Sequence, residues 1–354
     1  MANRWFMTDR KNKRDKSFKQ HDFSIIWKYF PFQRPFKETL KNFLFSYFPK
    51  LFNHWEIYQN WRNATVYRNT RLKIYQFAFW KRRLFDKYSY RIKTVNETGS
   101  KKVVINRLAV IVHAFYADIF FEIYQTLLKV EKTKLSLYLT GPEQVLSQIK
   151  AEIAGKPLPV KYFPVNNHGR DILPFLKILP VVFADGYTIV LKLHTKRSNH
   201  LNRRDHWRND LFAKLTGSGC VDRMMEIFRS NSSVGIIGPS GNIMPMYLYY
   251  AANGLRVHTM ANKMGVTNQQ LADLNFVAGS MFYARKEALL PVLGLHLSEA
   301  DFEQEQGQND GTMAHAIERV FAVGLVATGL QMADTDYNFE KPVLIVNKIN
   351  KFII

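Results

Sequence analysis

The chain has 354 residues, with 50 Lys and Arg against 29 Asp and Glu and a formal net charge of +21, which excludes an acidic or charge-balanced enzyme. Hydrophobic residues make up 47% and aromatic residues 14%, enough material for a sizeable core, so wholesale disorder is excluded as well. A single cysteine, Cys220, permits no internal disulfide, and residues 1–22 are charged without an apolar signal core, so the expected compartment is the reducing cytosol. The longest apolar stretch, Leu108 to Leu128, is interrupted by His113, Asp118, Glu122 and Gln125. It falls short of the roughly 20 apolar residues that span a bilayer.

In chain order, residues 1–100 come first as a basic, aromatic extension. They hold 22 Lys and Arg, 7 Asp and Glu, and 25 of the 50 Phe, Trp and Tyr residues. Trp27 to Phe32, Phe43 to Phe52 and Tyr75 to Phe85 interleave rings with cations at roughly helical spacing. Three readings stay open: a surface at an anionic lipid headgroup layer, packing of the rings on the main domain, and single-stranded nucleic acid held by stacking and phosphate neutralisation.

A boundary is expected between Thr94 and Lys102. From residue 101 to 354, short apolar runs alternate with amphipathic segments, the pattern of a mostly parallel sheet flanked by helices. Strands are predicted at Leu108 to His113, Leu135 to Thr140, Val160 to Val165, Tyr187 to His194, Val234 to Gly238, Phe276 to Ala284 and Val326 to Gly329. Helices are predicted at Asp118 to Val130, Gly141 to Ala154, Asp171 to Leu179 and Leu211 to Arg229. Sheets of this class bind ligands beyond the carboxyl ends of their strands, so the loops there hold the candidate chemistry.

After the first strand, His113, Tyr116 and Asp118 are candidates for a nucleotide, with ring stacking as the chemistry; core packing and helix capping by Asp118 is the plainer account. After the third, Gly169 permits a tight turn, Asp171 can cap the next helix and Arg170 can grip phosphate oxygens at the helix start, unless a carboxylate partner occupies it. After the fourth, His194 leads into Lys196 and Arg197. Nucleotide-sugar transferases often place Asp-x-Asp here to hold a divalent metal; this chain offers two cations that can stabilise a leaving diphosphate directly, or a solvated charge run. Gly279 and Ser280 interrupt the late strand and let a ligand approach the backbone. Met313, Ile317 and Val320 form a helical stripe beginning near Gly311, with Asp310 at its start as a general base or a plain cap; Glu303 and Glu305 are competing carboxylates. A metal site from His113, His168, His194 and His315 has no ligand spacing to support it.

Together, Asn166-x-His-Gly-Arg-Asp-Ile-x-Pro-Phe-Leu176, Leu191-Lys-Leu-His-Thr-Lys-Arg-Ser198, Ala278-Gly-Ser-Met-Phe-Tyr-Ala-Arg285 and Asp310-Gly-Thr-x-Ala-His-Ala-Ile-Glu-Arg319 resemble the rhamnan synthesis protein F family over roughly residues 103 to 330. The resemblance implies a bacterial glycosyltransferase of cell-surface polysaccharide or lipopolysaccharide assembly with a GT-A-like α/β fold. It would transfer rhamnose from dTDP-rhamnose to a lipid-linked glycan at the cytoplasmic face of the inner membrane. It also implies an acceptor strand at Gly279 and Ser280, a base motif at Asn309 and Asp310, and His315 among the acceptor-binding residues. The missing Asp-x-Asp leaves metal dependence open, since Asp334-Thr-Asp336 lies after the base motif and reads as a turn. Nucleic acid drops out as a partner under this resemblance. A non-catalytic subunit that binds a glycan or nucleotide sugar is the alternative.

Overall fold

The structure, a computed structural model, describes residues 34–52, 55, 58, 106–195, 204–246, 249–272, 274–308 and 310–339. The chain divides into two compact units, residues 1–78 with Ile354 and residues 79–353. The domain boundary expected at 94–102 lies outside the described residues. In the first unit, helix α1 (Arg34–Tyr47) and the short α2 (Pro49–Phe52) enclose a cluster of Phe45, Phe52 and Tyr58.

The second unit is a mixed α/β sandwich on one seven-stranded sheet. Its strands are β1 (Arg107–His113), β2 (Lys134–Gly141), β3 (Val160–Pro164), β4 (Ile189–His194), β5 (Val234–Gly238), β8 (Phe282–Arg285) and β9 (Gln331–Asp334), in the order β3-β2-β1-β4-β8-β5-β9. All of the pairings are parallel except those of β8, which runs antiparallel to both β4 and β5. A separate ribbon pairs β6 (Ile243–Pro245) with β7 (Asn275–Val277). Strand β4 therefore lies on the opposite side of β1 from β2 and β3, and this reversal makes the β1/β4 border the switch point of the sheet.

Alternation along the buried strands sends side chains to two cores. Leu108, Val110 and Val112 of β1 pack with α3 (Ala117–Leu127), α4 (Glu143–Glu152), α6 (Arg204–Thr216) and α7 (Cys220–Ser230). Ala109 and Ile111 pack on the other face with α5 (Ile172–Ala184), α8 (Gly254–Lys263), α10 (Lys286–Leu293) and α11 (Met313–Thr328). A further short helix, α9, spans Asn268–Ala272. Among the described residues no helix is long and apolar enough to cross a membrane.

Three predicted elements are corrected. Val326 to Gly329 is not a strand but the end of α11, closed by a Schellman motif in which Gly329 takes φ 70° and Leu330 N–H bonds Leu325 O at 2.9 Å; the strand follows at Gln331. The segment Phe276 to Ala284 is two strands in two sheets, because Gly279 (φ 87°) and Ser280 (φ 56°) turn the chain between β7 and β8. Leu211 to Arg229 is two helices, broken at Gly217 and at Gly219, whose φ is 71°.

Candidate functional site

The carboxyl edge of the sheet gathers the loops that follow β1, β3 and β4, the turn that precedes β8, and the start of α11. At the switch point, Thr195 is fully buried and its Oγ1 accepts from the backbone N–H groups of Phe115 (2.8 Å) and Tyr116 (2.9 Å). This one side chain ties the β4 end to the β1 loop. His113 and His194 are register partners across that border. His113 Nδ1 lies 3.1 Å from Thr140 Oγ1, and burial lowers its pKa to about 4, so the ring is neutral at pH 7. Tyr116 stands at the N-cap of α3 without a side-chain cap bond, and Asp118 is exposed in the first turn, so the capping expected of Asp118 is not found.

The period of two along β4 puts Lys192 on the same face as Val190 and His194, beneath α5 and α11. A lysine that is 1% exposed must be paired, and its Nζ donates to Asp171 and, at 2.9 Å, to Ser280 O. Burial alone would push the Asp171 carboxyl up. The Lys192 ammonium outweighs it and holds the carboxyl well below its ordinary range. Asp171 therefore sits at the N-cap position of α5 but makes no cap bond, a correction to its expected role.

The Gly279–Ser280 turn is gripped from three directions. His194 Nε2–H donates to Gly279 O at 2.9 Å, Lys192 holds Ser280 O, and Gly279 N–H donates to Glu318 Oε1 at 2.7 Å. A Cβ on Gly279 would stand 3.0 Å from the Trp207 ring, whose Nε1 donates to Asn242 Oδ1 at 2.9 Å. Ser280 is a non-glycine residue in the left-handed region, and its Oγ is buried without a hydrogen-bond partner. The left-handed backbone at this non-glycine residue is held in place by the grip of Lys192 on Ser280 O. Burial raises the Glu318 pKa, which Arg319 and the Gly279 N–H partly offset.

Arg170 forms a second left-handed pair with Gly169, at φ 56° and 64°. Its guanidinium donates to Gln308 O and, at 2.9 Å, to His315 Nε2, and its Nε lies 3.4 Å from Glu305 Oε2. The carboxylate partner that the sequence left open is therefore present. On the other side of the ring, His315 Nδ1 lies 2.7 Å from Thr312 Oγ1 and 3.3 Å from the Thr312 backbone N, closing a capping box at the start of α11.

Helix α11 begins at Met313 with Thr312 as N-cap, and Glu303 accepts from Met313 N–H at 2.8 Å. Asp310 does not cap this helix. Its Oδ2 accepts from Ala252 N–H at 3.0 Å and its Oδ1 from Asn253 Nδ2 at 2.7 Å. Burial would raise its pKa; the Ala252 N–H, the Arg319 charge and Asn253 prevail and lower it, so the carboxylate is ionised.

The structure thus brings Asp171, His194, Gly279 and Ser280 together around Lys192, with His113 beside His194 in register, and pairs Arg170 with His315; Asp310 is bonded to neither of that pair but lies close enough to His315 and Arg319 for their charges to lower its pKa. Lys196, Arg197 and Asn309 lie outside the described residues. Sequence reading missed Lys192, Thr195, Trp207 and Glu318. A cation midway along an apolar strand was the available signal, since it demands a buried acid nearby. Among the described residues no three His, Cys, Asp or Glu side chains converge as metal ligands. The Asp334-Thr-Asp336 segment is the end of β9 and the turn that follows it: Asp334 Oδ1 accepts from Asp336 N–H at 2.9 Å and Ser240 donates to Asp336.

The family model described as rhamnan synthesis protein F matches residues 74–328. The chain belongs to this family. Two curated relatives, both described as "Uncharacterized protein WxcX" and from two strains of Xanthomonas campestris pv. campestris, are 34% identical over 219 residues. That alignment covers 62% of this chain but 31% of each relative, so the chain spans about a third of their length. A mannosyltransferase from Pyrobaculum calidifontis, solved with GDP-Man and Mn2+, overlays at a TM-score of 0.33 and 10% identity, over 65% of this chain and 57% of its own. An overlay that loose does not define a shared fold.

Proposed function

We propose that this rhamnan synthesis protein F member is an inverting, GT-A-like glycosyltransferase that moves rhamnose from dTDP-rhamnose to a lipid-linked glycan at the cytoplasmic face of the inner membrane. The observation that carries the reading is a carboxylate, Asp310, held by Ala252 N–H and Asn253 Nδ2 near the start of α11, at the carboxyl edge of a doubly wound sheet, where sheets of this class bind ligands. In the proposed step the acceptor hydroxyl oxygen attacks the anomeric carbon, the bond from that carbon to the diphosphate breaks, and Asp310 takes the hydroxyl proton. One lone pair on each Asp310 oxygen is used by its two donors, which leaves others for that proton.

His113, Tyr116, Asp118, Gly169, Arg170, Asp171 and His194 would line the nucleotide-sugar side, with Lys196 and Arg197 stabilising the leaving diphosphate. Gly279, Ser280, Asn309 and His315 would meet the acceptor. Arg170 uses three of its five N–H donors on His315, Gln308 and Glu305, which leaves two for a phosphate. Purified chain given dTDP-rhamnose and a lipid-linked acceptor should release dTDP, in excess chelator as well as without it. Asp310→Asn should lower turnover at least about a hundredfold, the scale of a lost general base, with donor affinity nearly intact. Undiminished turnover removes Asp310 from the mechanism, and activity that chelator abolishes and manganese restores removes the direct role of the two cations.

A further inference from the structure

Among the described residues of the first unit, the aromatic side chains of α1 and α2 and those beside them divide between a buried and an exposed set. Phe45, Phe52 and Tyr58 are buried, with ring centroids 5.0 Å apart for Phe45 and Phe52 and 5.3 Å for Phe45 and Tyr58, and Leu44 and Trp55 pack against them. These contacts satisfy the inner faces of α1 and α2. The other face does not turn inward: Phe43 is 47% exposed, Tyr47 68%, Phe48 47% and Leu51 64%. Nor are these side chains scattered. The Phe43 ring lies 4.7 Å from that of Tyr47 and 6.3 Å from that of Phe48, so the three rings form one patch at the end of α1 and the start of α2.

Leaving such a patch in water is unfavourable, and a contiguous exposed apolar surface marks an interaction site. Its setting selects the occupant. Residues 1–100 carry 22 cations against 7 anions and hold half of the aromatic residues of the chain. An exposed apolar patch in a segment whose sequence is strongly cationic complements an anionic bilayer: the rings and Leu51 enter the boundary between headgroups and acyl chains, the Tyr47 hydroxyl stays hydrated, and the segment's cations are attracted to lipid phosphates.

We propose that Phe43, Tyr47, Phe48 and Leu51 are the insertion surface by which this chain docks on an anionic lipid bilayer. The purpose of the docking, delivery of the site to a lipid-linked acceptor, rests on the transferase reading; the docking itself does not.

The test is flotation of the full chain with phosphatidylcholine vesicles, with and without phosphatidylglycerol, at low and high salt. The chain floats with the anionic vesicles, less so at high salt, and stays at the bottom with the neutral ones. Replacing the four residues together (Phe43→Ser, Tyr47→Ser, Phe48→Ser and Leu51→Ser) lowers the bound fraction at least about tenfold. The thermal melt is unchanged, because the four side chains are exposed. A Phe43→Leu, Phe48→Leu variant, still apolar, keeps binding. Absence of flotation on anionic vesicles overturns the proposal, as does a Ser variant that floats like the unaltered chain. A chain that ignores vesicles but sediments as a dimer, and becomes a monomer in the Ser variant, assigns the patch to a second copy and likewise overturns it. Release of dTDP with a water-soluble acceptor is measured alongside: docking without transfer sinks the transferase reading alone, and transfer without docking sinks this proposal alone.

Discussion

His113 shows how one buried side chain sets a pH response. Its folded pKa of about 4 lies below the ordinary 6.5, because burial disfavours the charged ring. Above pH 6.5 the ring is neutral in the folded and unfolded chain alike. As pH falls towards 4 the unfolded chain takes up a proton that the folded chain resists, so stability is lost across that window. The loss reaches about 3 kcal/mol at ~1.4 kcal/mol per pK unit. Asp171 acts elsewhere: its depressed carboxyl contributes stability above its unfolded value of 3.8, lost only as pH falls further. Glu318, raised by burial, works in the opposite sense and gains stability as pH falls. Comparison with His113→Gln, which keeps a hydrogen-bonding group towards Thr140, isolates the histidine. Urea unfolding at pH 7 and pH 4.5 should show the variant losing less stability by about 2 to 3 kcal/mol; equal losses would mean that His113 is not held neutral. The neutrality of His113 was not legible in the sequence, because it comes from packing at the β1/β4 border.

At the scale of elements, α11 is the strut between the core and the site, and two glycines mark how it is set. Gly329 takes φ 70° with nothing near where a Cβ would lie, so Gly329→Ala bears only the left-handed penalty, about 1 kcal/mol. Gly324 lies where a Cβ would strike the backbone carbonyl of Ala288 on α10. Gly324→Ala must push two packed helices apart and should cost about 1–3 kcal/mol or more. Thermal melts of the two variants rank them, and an equal shift would show that the α10–α11 contact yields freely. The apolar stripe of α11 and its carboxylate-rich approach were readable from residue types. Its first residue and its last were not: Val326 to Gly329 has the composition of a short strand, and only the Schellman bonds to Leu325 and Val326 make it a helix end. The same ambiguity of short apolar runs hid the turn at Gly279 and Ser280 inside what reads as one strand.

Across the whole molecule, stability is expected to follow depth in the sheet. Leu108 to Val112 and Ile189 to Leu193 are at most 1% exposed at their apolar side chains, whereas the edge strand β3 is largely half-exposed. Backbone amides of β1 and β4 should therefore exchange with solvent at least about tenfold more slowly than those of β3, which opens locally. Uniform protection across the sheet would show a single cooperative unit instead. By itself the sequence determined the α/β class, most of the strands, the basic aromatic extension and the four motif segments, since periodicity, composition and residue identity are local properties. Tertiary structure alone decided which of those segments meet. The strand order that places β4 beside β1 sets Lys192 against Asp171 and Ser280, joins Thr195 to the β1 loop and brings Arg170 to Glu305 and His315. Those pairs are separated by 21 to 145 residues along the chain, and no local pattern encodes a partner that far away. Burial then gives each of these charges its effect, because a cation such as Lys192 can leave water only where the fold has already placed its acid.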